Sequence, residues 1–171
     1  MRRSDIYARY NASEKRAILV VSGLIALLTP FTDTIYLPTL ASVASDLDTS
    51  QTLVSLSVSI YLAAVGLGQL VWGPLADKFG RLIILYVALV AYEATTVACI
   101  FSPNIGVLIA LRTLEGFFVG STIVIASTLI SDCFAPSERG SAMGAMLGPL
   151  LIGPIIAPLI GGILSQHLGW R

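Results

Sequence analysis

The chain has 171 residues, of which 56% are apolar and 12% charged, and a formal net charge of zero. A soluble domain carries about 25% charged residues, and binding to nucleic acid needs a basic field that a neutral chain does not supply. Both classes are therefore excluded, and the composition points to an all-α integral membrane protein whose solvent is the lipid bilayer.

Residues 1–16 carry Arg2, Arg3, Arg9, Lys15 and Arg16 and read as a polar tail. The apolar run behind them has the outline of a secretory signal, with Ser42-Val43-Ala44 as a small-residue cleavage site. It is longer than the roughly 7–15 residues of a signal core and contains Pro30 and Asp33, so it reads as a retained first span. Four further apolar runs follow, giving predicted helices at about 17–38, 53–73, 82–101, 106–130 and 141–164. At about 1.5 Å per residue each can cross a hydrocarbon layer of about 30 Å. The connections carry helix-breaking signals: Ser45–Ser50, Gly73-Pro74, Ser102-Pro103-Asn104 and Pro136–Gly140. Soluble helices keep a polar face, and these runs mostly lack one.

The basic residues orient the chain. Five precede the first span, Lys78 and Arg81 lie between the second and third, and Arg139 lies between the fourth and fifth. The opposite side has none in its two inter-helix connections and only Arg171 at the end. The excess of positive charge places the N-terminus in the cytoplasm of a multi-pass protein of the cell membrane.

Four ionisable residues fall inside the spans: Asp33, Glu93, Arg112 and Glu115. Each costs about 2.5–3.5 kcal/mol or more at a helix centre, which makes a functional role the starting hypothesis for each. By helical rise, Asp33 lies about 24 Å from the cytoplasmic edge and Arg112 about 9 Å from the outer edge. The two meet if the first and fourth helices face each other. Asp33 is then either a carboxylate whose proton affinity Arg112 controls or half of a static ion pair. Glu115, at i+3 from Arg112, either neutralises it along one helix face or carries the proton itself. Glu93 lies midway along the third span, either protonated or facing a cavity.

The fifth span places small residues at every fourth position, at 140, 144 and 148 and again at 153, 157 and 161. Such a face lets another helix approach closely. Pro149, Pro154 and Pro158 bend the helix, so Gly148, Gly153, Ala157, Gly161 and Gly162 belong either to a kinked packing helix or to a hinge. The glycine-bounded turn Gly73–Arg81, with Asp77, Lys78 and Gly80, is either a solvated turn or a charge lock. In the second case Asp132 and Arg139, at the next connection on the same side, are its partners. Cys99 and Cys133 fall near opposite faces of the bilayer, too far apart to bridge, and read as packing residues. His167 reads as a solvated loop residue near the outer surface. The sequence shows no metal-ligand cluster and no nucleophile–base set, so no cofactor and no enzyme is expected.

These motifs together resemble the major facilitator superfamily, and within it the twelve-helix drug:proton antiporters. Gly73-Pro74-Leu75-Ala76-Asp77-Lys78-Phe79-Gly80-Arg81 is similar to the family's loop signature G-x-L-A-D-R/K-x-G-R-R/K, with Leu82 replacing the last basic residue. Asp132 through Arg139 resembles the acidic element that contacts this loop. Arg112-Thr113-Leu114-Glu115-Gly116 resembles R-x-x-Q-G, with Glu115 in place of glutamine. Residues 153–162 resemble the fifth-helix antiporter signature, with Ala157 before Pro158 as in bicyclomycin-resistance-like members, and Thr32–Pro38 resembles the first-helix element of that subgroup.

The resemblance implies that the loop stabilises an outward-open state and that Arg112 takes part in proton coupling. It further implies that an acid in the first helix carries the proton and that the fifth-helix glycines face a second bundle. Family members have two six-helix bundles built from inverted repeats, with substrate bound between them. Residues 17–171 are then five helices of the N-terminal bundle, ending at Gly169-Trp170-Arg171 where a sixth helix would begin. The expected function is proton-coupled export of small organic compounds or drugs. The expected partners are lipid, protons, a small-molecule substrate and a missing C-terminal bundle, and no nucleic acid. The alternatives are a symporter or facilitator for a metabolite, and a truncated membrane protein that does not transport.

Overall fold

The computed structural model describes residues 10–170. Arg2, Arg3, Arg9 and Arg171, which enter the charge count above, lie outside the described residues. Among the described residues five helical spans are long and apolar enough to cross a membrane, as expected, but most extend past the predicted bounds. The first begins at Ala12, where Asn11 and Glu14 form a capping box. The Asn11 side chain accepts from the Glu14 amide at 2.9 Å, and the Glu14 carboxylate accepts from the Asn11 amide at 2.8 Å. This helix, α1 (Ala12–Ile35), carries Pro30 without breaking. A 3₁₀ turn at Leu37–Thr39 follows, with Pro38 in it, and α2 (Leu40–Asp46) completes the span. The predicted first span stops short of α2 because Ser45 and Asp46 read as the start of a polar connection.

The second span, α3 (Gln51–Phe79), begins at Ser50, whose side chain accepts from the Leu53 amide. The third, α4 (Arg81–Ile100), follows after Gly80 alone, which sits at φ 97°, a conformation that glycine adopts without strain. The predicted turn from Gly73 to Arg81 is therefore corrected. Pro74, Asp77 and Lys78 lie in the last turns of α3, and only Gly80 reverses the chain. The fourth and fifth spans are α5 (Ile105–Cys133), capped by Asn104, and α6 (Arg139–Leu168), which holds all three of its prolines inside one helix. His167 is exposed in the last turn of α6 rather than in a loop, so that reading is corrected as well.

α5 is the most buried of the spans. It packs most extensively on α3 and also on α4 and α1, while α1 packs chiefly on α6. Glycines set how closely α3 and α5 approach. A Cβ on Gly116 would lie 2.5 Å from the Tyr61 carbonyl oxygen, and one on Gly120 would lie 2.5 Å from that of Val65. A Cβ on Gly68 would overlap the Phe117 carbonyl. Trp72 fills the seam below them, donating from its indole nitrogen to the Phe117 carbonyl at 2.7 Å. The outer surface is covered with leucine, valine and isoleucine. Leu70, Val90 and Ile155 are each about 70% exposed, as suits a surface solvated by lipid rather than water.

The two small-residue rows of α6 behave differently. Gly153, Ala157 and Gly161 are buried, and the glycines among them meet Leu27, Phe31 and Ile35 of α1. That half of the expected hinge face is thus an internal helix contact of this chain, which corrects the expectation that it faces a second bundle. Gly140, Gly144 and Gly148 are exposed, and a Cβ on any of them would meet nothing within 4 Å. Pro149 packs on Gly23 of α1, whereas Pro154 is exposed and Pro158 half-buried.

Candidate functional site

Four of the five spans converge on a cavity of about 430 Å³ lined by Thr32, Tyr36, Tyr92, Thr96, Arg112 and Glu115 among others. α1 and α5 face each other here, and the Thr29 and Thr122 hydroxyls hydrogen-bond at 2.8 Å across them. Arg112 is 6% exposed and Glu115 2%. The guanidinium donates to Glu115 Oε2 at 2.9 Å, and Thr96 of α4 donates to Glu115 Oε1 at 2.8 Å. The Tyr36 and Tyr61 rings stand 3.9 and 4.9 Å from the guanidinium carbon. A buried cation is thus held by one carboxylate and two aromatic faces, the second at a distance typical of cation–π attraction. Removing one member of such a pair leaves an uncompensated charge in a low-dielectric place.

Asp33 lies half-buried one turn before Tyr36, close enough to Tyr61, Arg112 and Glu115 to interact with them electrostatically. Arg112 attracts its carboxylate and Glu115 repels it. Its Oδ1 makes no close hydrogen bond among the described residues, although the Tyr61 hydroxyl lies beside the carboxylate; the Tyr36 hydroxyl is likewise only beside Ser57, and Arg112 Nε makes no close hydrogen bond. Of the two arrangements open to Arg112, the structure contains the pair with Glu115. The kink at Tyr36–Pro38 and the i,i+3 spacing on α5 produce this arrangement together: the first turns the tyrosine ring onto the guanidinium, and the second sets the carboxylate beside it.

Glu93 is not part of this site. It is exposed on the outer face of α4, between Val90 and Val97, while its neighbour Tyr92 points inward and hydrogen-bonds Thr32 at 2.7 Å. The expectation that Glu93 faces a cavity is corrected. On a helix of 3.6 residues per turn, consecutive positions point about 100° apart, so an inward Tyr92 turns Glu93 outward.

At the end of the bundle that holds the start of α1, Arg81 donates to Asp132 and to the Thr128 carbonyl, and lies 3.5 Å from Asp77. The two connections that the sequence paired thus meet through Arg81. Lys78 lies over the Phe79 ring at 5.2 Å, and Arg139 Nε donates to the Phe134 carbonyl at 3.1 Å. A second clasp was not anticipated. Lys15 of α1 pairs with Glu138 at 2.8 Å, 5.4 Å above the Phe134 ring. Its donor hydrogen bond holds the Glu138 carboxyl below the usual glutamate range. The spacing within each segment was visible, but the contact joins residues 123 positions apart. The Gly68, Gly116 and Gly120 contacts were also missed, although Gly116 and Gly120 stand four apart in an apolar helix, the pattern of close helix packing.

The profile of the Major Facilitator Superfamily matches residues 23–171. The chain belongs to this family of membrane transporters and is a multi-pass membrane protein. Among relatives, a protein named MFS antiporter QDR3, from Candida albicans, is 38% identical over 92% of this chain and 22% of its own length. One named Efflux pump radE, from Floropilus chiversii, is 37% identical over 90% of the chain and 29% of its own length. One named Bicyclomycin resistance protein homolog, from Haemophilus influenzae, is 29% identical over 90% of the chain and 38% of its own length. The chain therefore spans between about a fifth and two fifths of the length of these curated relatives.

Proposed function

We propose that this chain forms the proton-coupling part of an exporter that moves small organic compounds outward as protons move inward through Asp33, under the control of Arg112. The observation that carries the reading is the unequal state of the two acids. Glu115 is committed to Arg112 and Thr96, whereas Asp33 Oδ1 makes no close hydrogen bond among the described residues. The Asp33 carboxylate has the Tyr61 hydroxyl beside it but no committed cation, so it gains or loses a proton without breaking the Arg112–Glu115 pair. Arg112, within electrostatic reach of both acids, relates the charge of one to that of the other. The relatives' names, antiporter and efflux pump, support the direction.

In the same reading the N-terminus lies in the cytoplasm, and the Arg81–Asp132 contact is a lock that holds one transport state. The open Gly140, Gly144 and Gly148 face of α6 receives a second bundle, against which the first rocks. The test is uphill efflux of fluorescent organic compounds from cells expressing the whole protein, with and without an uncoupler. Asp33→Asn is expected to abolish the uncoupler-sensitive component. Unchanged, uncoupler-sensitive efflux in that variant overturns the proposal.

A further inference from the structure

A line of three hydroxyls runs from α1 across the inner face of α4 to Glu115. The Tyr92 hydroxyl lies 2.7 Å from that of Thr32 and has Thr96, one turn further along α4, beside it. The Thr96 hydroxyl lies 2.8 Å from Glu115 Oε1 and 2.9 Å from the Tyr92 carbonyl. Thr32 is the residue next to Asp33, and Glu115 is the carboxylate that Arg112 holds. Tyr92 and Thr96, at i and i+4 on one face of α4, therefore tie together the two helices that carry the two acids. We infer that Tyr92 is a positioning residue for Asp33: through Thr32 its hydroxyl fixes the rotation of α1 that sets the Asp33 carboxylate against Arg112 and Glu115. The consequence for transport rests on the coupling reading above.

The part of α1 that bears Asp33 needs such a hold. Pro30 supplies no amide hydrogen and clashes with the carbonyl one turn earlier, and the helix ends at Ile35. Residues 30–35 are thus fastened to the rest of α1 by fewer backbone bonds than an unbroken helix has. Before Pro30, the Thr29–Thr122 bond secures α1 to α5. After it, the Thr32–Tyr92 bond secures α1 to α4. On the α6 side the segment meets Gly153 and Gly161, which set its distance but offer no side chain to hold its rotation. Successive helical positions point about 100° apart, so Thr32 turned onto Tyr92 leaves Asp33 turned toward Tyr61 of α3 and the charges of α5. Thr32 and Tyr92 are each 7% exposed, so neither hydroxyl exchanges its partner for solvent without cost.

The ionisable groups around Asp33 are Tyr36 on its own span, Tyr61 on α3, Tyr92 and Cys99 on α4, and Arg112 and Glu115 on α5. α6 contributes no ionisable side chain to the cavity wall, and Glu93 points outward. In apolar surroundings the energy between charges changes steeply with their separation. A small turn of α1 therefore changes the proton affinity of Asp33.

Infrared titration of the Asp33 carboxyl in the whole protein in lipid tests this, with the band identified by its loss in Asp33→Asn. Tyr92→Phe keeps the ring and removes only the hydroxyl, and Thr32→Val removes the other end of the same bond. Each should move the Asp33 midpoint by about half a pH unit or more, a roughly threefold change in proton affinity. The double variant should move it no further than the larger single shift, because both remove one bond. Thr32→Ser, which keeps the hydroxyl, should titrate as the wild type does. An unmoved midpoint in Tyr92→Phe and Thr32→Val would overturn the inference, as would single shifts that add in the double variant. So would a Thr32→Ser shift as large as that of Thr32→Val. If one single variant does not fold, the other reads the same bond. The pH profile of uphill efflux should move with the titration. A titration that moves while efflux does not depend on Asp33 would sink the coupling reading and leave the positioning role standing. Asp33-dependent efflux with an unmoved titration would do the reverse.

Discussion

Arg112 and Glu115 stand one turn apart on α5 and meet at 2.9 Å, with 7% and 3% of their side chains exposed. The pair is the most deeply buried charge in the described bundle, and the rest of the site is arranged around it. Glu115→Leu strips Arg112 of its counter-charge and leaves the Thr96 hydroxyl to the Tyr92 carbonyl alone. It should cost about 3–5 kcal/mol of stability, the usual penalty for breaking a buried pair. Glu115→Gln should cost less, since its amide oxygen still accepts from Arg112 while its amide NH2 can donate to the Thr96 hydroxyl. Thermal unfolding in detergent reads the difference, and a leucine variant as stable as the wild type would contradict it.

Two glycines on α3, two residues apart, separate steric need from helix propensity. Gly68 leaves no room, because a Cβ would overlap the Phe117 backbone, whereas at Gly66 it would meet nothing within 4 Å. Gly68→Ala should destabilise by about 1–3 kcal/mol through overpacking. Gly66→Ala should be neutral or stabilising by up to about 1 kcal/mol, the intrinsic preference of a helix for alanine. Unfolding midpoints of the two variants, measured side by side, check this. Equal shifts would mean that α3 and α5 do not approach as closely as described.

The Lys15–Glu138 clasp gives a pH dependence with a defined sign. The folded-state value of Glu138 lies below its ordinary 4.5 because Lys15 donates to it. A depressed carboxyl contributes stability that is present above the unfolded value and is lost as pH falls through the folded one. The stability difference between wild type and Glu138→Gln should therefore be constant at neutral pH and vanish as the pH is lowered below about 4.5. It should also shrink with added salt, because the glutamate is exposed. Unfolding midpoints of the two proteins across an acid titration measure it. A difference that grows on acidification would contradict the contact.

Much of the fold was readable because a membrane span announces itself by length and apolar content. The helix ends were not, since α3, α5 and α6 extend into polar sequence where hydropathy no longer tracks helicity. The Arg81–Asp132 contact followed from two charged connections on one side. The Arg112–Glu115 pair followed from i+3 spacing. What escaped depended on azimuth. Glu93 and Tyr92 are adjacent in sequence but point about 100° apart, and only the packing of α4 on α5 decides which one enters. The two small-residue rows of α6 are equally regular, yet α1 covers only Gly153, Ala157 and Gly161. Which row is used depends on a partner 120 or more residues away in sequence, and no local pattern encodes that.

Proton release on substrate addition tests the central claim most directly. The purified whole protein, in lightly buffered detergent with a pH-sensitive dye, is mixed with a compound that it transports. The account predicts release from the wild type and from Glu115→Gln, and none from Asp33→Asn. Release that persists in Asp33→Asn, or that is lost only in Glu115→Gln, would show that the proton resides elsewhere and would contradict the account.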